Sequence, residues 1–146
     1  MTKAANSKPQ PKIGGLVRET ERCYGDRPTR IAAARYDLED RTLRFASDVR
    51  AFVKLLPGTI ANIEDTKQLV RASGSVGANY LEANEALGKK DFVMRIKISR
   101  KEAKESRYFL RLLDAAGKAV ETERNRLIQE ATELMNIFGA IFRKSQ

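Results

Sequence analysis

The chain has no histidine and a single cysteine, Cys23, among its 146 residues. It therefore lacks the commonest general base and the commonest metal ligand, and one cysteine can build neither a zinc site nor an intrachain disulfide. Nothing in the cysteine usage points to an oxidising compartment. No apolar run approaches the ~18 residues of a membrane span, and the N-terminus lacks the hydrophobic segment of a secretory signal. The expected location is the cytoplasm, with no membrane partner. Proline is scarce, four residues with three of them before residue 36, so almost nothing interrupts a helix beyond that point.

Acidic residues are in deficit. There are 19 against 28 basic ones, a net charge of +9, a balance that favours nucleic acid, an acidic protein or an anionic surface as partner. Residues 1–36 hold eight basic and three acidic side chains, whereas residues 89–111 alone hold nine and three. Residues 1–35 have no sustained periodicity and read as a disordered basic tail. Residues 36–146 read as one folded domain.

In that domain the apolar spacing is helical throughout. A first helix is expected from a cap at Asp37, with Phe45, Val49, Phe52, Val53 and Leu56 inward, to the stop at Pro57-Gly58. A second, capped by Asn62, is expected to reach about Leu87 and to turn Thr66, Leu69, Ser73, Val76, Tyr80, Ala83 and Leu87 inward. Its centre, 72–78, is built of small residues, and two glycines in a helix interior cost about 1 kcal/mol each relative to alanine. Packing must hold it, so the second and third helices are expected to pass close together. Gly88 opens the third helix, whose core stripe is Phe92, Ile96, Ser99, Ala103, Ser106, Leu110 and Leu113. It should end near Gly117. A fourth, from about Thr122 to Phe142, has an apolar face broader than one neighbour requires. Short connections and the absence of strand-like alternation predict an all-α, antiparallel up-down-up-down four-helix bundle.

Two constellations stand out. Lys90, Lys97, Lys104 and Arg111 recur every seven residues with Arg100 and Arg107 between them, a cationic row on the third helix suited to a phosphate backbone, with Tyr108 placed to stack on a base. The bland alternative is a solvated helix face. Arg71, Ser75, Asn79 and Glu82 form a polar line on the second helix opposite Arg95, Glu102 and Glu105 of the third. A charge beside a packed seam needs a partner, so this reads as a structural polar network. The competing reading, a metal or acid/base site on Glu82, Glu102 and Glu105, lacks the histidines that bundle di-metal sites use. Gly74, Ser75 and Gly77 lie inside a helix and form no phosphate loop. No catalytic residue, metal or cofactor is assigned, and the chain is expected not to be an enzyme.

Residues 68–87, QLVRASGSVGANYLEANEAL, and 89–113, KKDFVMRIKISRKEAKESRYFLRLL, carry a resemblance. The Ser75-Val76-x-x-Asn79-x-x-Glu82 run and the Lys-Glu-Ala-x-Glu run at 101–105 resemble the bacterial four-helix bundle proteins that include those encoded by intervening sequences of 23S ribosomal RNA genes. Gly88, where that family often has a capping serine, and Phe109, where tryptophan is common, depart from the pattern. The resemblance implies a ring-like homopentamer. It also implies kinship with the accessory proteins of diversity-generating retroelements, which bind nucleic acid and partner a reverse transcriptase. In such a ring the apolar flank of the third helix and the wide face of the fourth would bury against sister subunits.

The expected function is thus a non-enzymatic homo-oligomer that binds RNA or DNA with little sequence specificity. The alternative is a protein-interaction scaffold for an acidic or polymerase-like partner.

Overall fold

The computed structural model describes the backbone of residues 30–146 and the side chains of residues 37–146. These residues form α1 (Arg30–Val53), α2 (Ile60–Asn84), α3 (Lys89–Leu112) and α4 (Lys118–Lys144), with no strand among them. Each helix packs on two neighbours: α1 on α2 and α4, and α3 on α2 and α4. Cross-helix partners run in opposite senses at every seam. Arg71 meets Glu105 while Asn79 meets Arg95, and Lys97 lies over Phe142 while Arg124 reaches Leu113. Arg41 pairs with Glu130 while Asp48 pairs with Arg126; Glu39 meets Asn84 while Arg50 lies against Gly74. The fold is the antiparallel bundle.

Phe45, Val49 and Phe52 of α1, Leu69, Val76 and Tyr80 of α2, Ile96 and Leu110 of α3, and Leu127, Leu134 and Phe138 of α4 fill the middle. Burying one such side chain contributes about 1.5–3 kcal/mol, so this core, not helix propensity, supplies the stability. Ser99 and Ser106 are also buried, and each finds a backbone acceptor. The Ser99 hydroxyl donates across the seam to the Val76 carbonyl at 3.0 Å, which places the backbone of α2 within reach of a short side chain on α3. The two glycines serve another neighbour. A Cβ on Gly77 would lie 2.9 Å from Thr42 Oγ1, and one on Gly74 would lie 3.3 Å from Arg50, so they open α2 to α1 rather than to α3.

Several expected boundaries move. Asp37 is no cap, because α1 begins two turns earlier at Arg30. Residues 30–35, rich in alanine, the best helix former, continue the helix into the expected tail. The domain boundary expected at residue 36 therefore falls inside α1; the rest of that tail, residues 1–29 with Cys23, lies outside the described residues. Thr59, not Asn62, caps α2, its hydroxyl accepting from the Asn62 amide at 3.1 Å. Asn62 is buried and does something else. Its side chain donates to the Pro57 and Asp114 carbonyls and accepts from the Asp114 amide at 2.9 Å. A carboxamide, with two N–H donors and an acceptor oxygen, can make all three bonds and tie the α1–α2 and α3–α4 connections together, whereas a hydroxyl has a single donor. α2 ends at Asn84, and Leu87 is fully exposed in the reversal that leads to α3. Gly117, at φ +91°, turns the chain directly into α4, so α4 starts at Lys118 and not at Thr122.

The wide apolar face of α4 is used within the chain. None of its large apolar side chains is exposed; Met135, Ile141 and Phe142 pack against the core, and Phe138 reaches Tyr80 of α2 with ring centroids 5.5 Å apart. Within the chain this face covers the interior of the bundle as well as its two neighbours, which leaves Met135, Ile137, Ile141 and Phe142 half-buried. On α3, Ile98 and Phe109 are half-buried and Leu112 is exposed.

Candidate nucleic-acid interface

The core stripe of α3 fixes where its cations go. With Ile96, Ser99, Ala103, Ser106 and Leu110 turned inward, the positions on the α4 side of that stripe are Lys90, Lys97, Arg100, Lys104, Arg107 and Arg111. Five are exposed and Arg107 is half-buried. Among the described residues none of the six is in an ion pair. At ~1.5 Å per residue the row from Lys90 to Arg111 is ~32 Å long, and residues seven apart stand ~10 Å from each other. With Arg100 and Arg107 between them, neighbouring members from Lys97 to Arg111 are three or four residues apart, ~5–6 Å, inside the screening length at physiological salt, so the row repels itself and favours an anionic partner. Lys97 is held with its ammonium 5.3 Å from the centre of the Phe142 ring, and Arg100 lies across Gly139. Tyr108, 59% exposed and edge-on to Phe109, stands on the solvent side of the row.

The opposite flank of α3 is organised differently. Arg71 pairs with Glu105 and lies 3.7 Å from Glu102, while Arg95 donates to the Asn79 side chain at 3.3 Å and faces Asp91 at 3.8 Å. Asn79 donates to the Ser75 carbonyl, and the Ser75 hydroxyl to that of Arg71. Arg71, Ser75, Asn79, Arg95, Glu102 and Glu105 thus come together across the α2/α3 seam. Glu82, expected with them, is exposed and has no side-chain partner among the described residues, because its place on α2 lies outside the seam. Glu102 is 8% exposed, with one carboxylate oxygen lacking a hydrogen-bond donor. Burial, and then the neighbouring Glu105 charge, raise its pKa above the usual carboxylate value, while Arg71 opposes them.

Of the eight other arginines with described side chains, Arg41, Arg71, Arg95, Arg124 and Arg126 are in ion pairs, and Arg44, Arg50 and Arg143 are not. Arg41 is held by Glu130 at 2.7 Å and by Glu133; Arg126 is held by Glu123 and Asp48 at 2.6 and 2.8 Å; Arg124 faces Glu121. The hydrogen bonds that Arg41 donates to Glu130 and Arg126 to Glu123 lead in raising the pKa values of the two arginines, and those that Glu133 accepts from Gln129 and then Arg41 lower its own. The α3 row combines a high density of cations with the absence of any ion pair to them among the described residues.

One further cation belongs to this surface. Arg143, in the last turn of α4, lies beside Arg100 over Gly139. Its own neighbours in sequence hold no sign of this, since the register of α4 against α3 is set by the α3–α4 connection and the core, not by local periodicity. The helix dipole favours a cation at that end.

A model of the family described as 23S rRNA-intervening sequence protein matches residues 36–140. Among solved structures, a protein with unknown function from the S23 ribosomal protein family of Bacteroides thetaiotaomicron is 26% identical, with a TM-score of 0.63 over 75% of this chain and 97% of that one. No curated protein matches the chain.

Proposed function

The chain belongs to the 23S rRNA-intervening sequence protein family, and from that premise we propose that it is a non-enzymatic, cytoplasmic, homo-oligomeric bundle that binds RNA or DNA with little sequence specificity. The observation that carries this reading is the continuous row of six cations along one flank of α3, none of them in an ion pair among the described residues. Lys90, Lys97, Arg100, Lys104, Arg107 and Arg111 contact phosphates, which provide affinity and position but no sequence readout. A homopentameric ring, as the family resemblance implies, repeats the row around the assembly and lets individually weak contacts add. No described helix is long and apolar enough to cross a membrane.

The test is charge reversal. Lys97→Glu, Lys104→Glu and Arg111→Glu together should abolish retention of a labelled RNA or DNA while helicity is unchanged. Undiminished retention overturns the reading.

A second reading, an accessory subunit for an acidic or reverse-transcriptase-like protein, draws support from Met94, Tyr108 and Leu112, exposed apolar side chains of α3 near the cations. Complex formation that survives nuclease treatment, with no affinity for free nucleic acid, would favour it.

A further inference from the structure

We propose that Arg100 of α3 and Arg143 of α4, brought together over Gly139, form a clamp for a single phosphate of the bound strand. The clamp rests on the nucleic-acid reading above. It goes further in placing a discrete contact in the α3/α4 groove, so that the strand is gripped between two helices and does not only lie along one.

Gly139 sits in the interior of α4, where glycine costs about 1 kcal/mol relative to alanine, and its φ is not in the left-handed region. The backbone does not require it. Space does: Arg100 Nε and Arg143 Nη1 each lie 3.4 Å from the position a Cβ would take, and the guanidinium carbon of Arg100 lies 3.6 Å from it. A methyl there would just touch both groups, and any longer side chain displaces them. The missing side chain is the floor on which the two guanidiniums meet.

Neither guanidinium is in an ion pair among the described residues, and both like charges reach the same position over Gly139. Their mutual repulsion is relieved by an anion that accepts from both. A phosphodiester fits this chemistry, because its two free oxygens can each take a charge-assisted hydrogen bond from a planar guanidinium. Lys97, fixed on Phe142 one turn of α3 away from Arg100, supplies a further cation along the same groove. The C-terminal end of α4 stabilises the positive charge of Arg143 while the site is empty.

The experiment measures anisotropy of a short fluorescent oligodeoxynucleotide with the full chain. Gly139→Leu keeps every charge and removes the floor. Arg143→Gln removes one charge at the clamp, and Arg50→Gln removes one on the α1/α2 side of the bundle. Gly139→Leu and Arg143→Gln should each weaken binding roughly tenfold, with Arg50→Gln within about twofold of the parent protein. If Gly139→Leu does not fold, Arg143→Gln, at an exposed helix end, decides the matter against Arg50→Gln. Parent-like affinity for Gly139→Leu, or equal effects of the two arginine substitutions, overturns the clamp while the α3 row stands. Absence of binding by the parent protein overturns both.

Discussion

The two flanks of α4 are built from the same residue types and do opposite things with them. On the α1 side, Asp37, Asp40, Arg41, Arg44, Asp48, Arg126 and Glu130 line a groove in which Arg41 and Arg126 meet carboxylates of both helices. On the α3 side, Lys97 and Arg100 approach α4 over Phe142 and Gly139, where Arg143 of α4 joins them, and among the described residues none of the three is in an ion pair. The first groove neutralises itself and has no need of a ligand. The second keeps its charge outward. A net charge of +9 says that cations are in excess; the contrast between the flanks says where the excess is accessible.

Three substitutions test that contrast. The largest effect should come from making the second flank resemble the first: Gly139→Glu sets a carboxylate between Arg100 and Arg143. Affinity for a labelled oligonucleotide should fall by about a hundredfold in a filter-binding titration. Unchanged affinity would erase the distinction. Arg126→Glu does the reverse on the α1 side, facing Asp48 and Glu123 with a like charge. Denaturant unfolding should register a loss of about 1–2 kcal/mol, the pair being half-exposed, while nucleic-acid affinity does not fall. Arg41→Gln, which leaves Glu130 and Glu133 without their shared cation, should cost about 1 kcal/mol by the same measurement, again without weakening binding.

The smallest effect concerns pH. The Glu102 pKa is raised in the folded state, so its folded form holds a proton more tightly than the unfolded chain does. That stabilisation is present at pH values below the ordinary carboxylate value of 4.5 and is lost as pH rises through the raised one. Glu102→Gln should flatten this decline in thermal melts taken across that window. An identical pH dependence in the variant would assign it to another group.

The fold was largely legible in the sequence because apolar periodicity is a local signal. The stripe from Ile96 to Leu113 and that from Leu69 to Ala83 are the buried faces of α3 and α2. What could not be read is what depends on one helix meeting another. Asn62 has cap-like chemistry and a cap-like position, yet its amide is drawn to Asp114, 52 residues away. The glycines of α2 announce a close approach without naming α1 as the neighbour. The cationic row was visible as a heptad; that the carboxylates lie elsewhere, and that Gly139 and Arg143 complete the surface, depends on a register that only the packed core sets.

The central claim is that phosphate neutralisation by an unpaired α3 surface drives binding, and the salt dependence of affinity addresses it most directly. For nuclease-treated protein and a labelled single strand, a plot of log K against log salt should be linear, with a slope of about −4 if all six cations engage phosphates. A slope near zero, or no measurable binding at low salt, would contradict it.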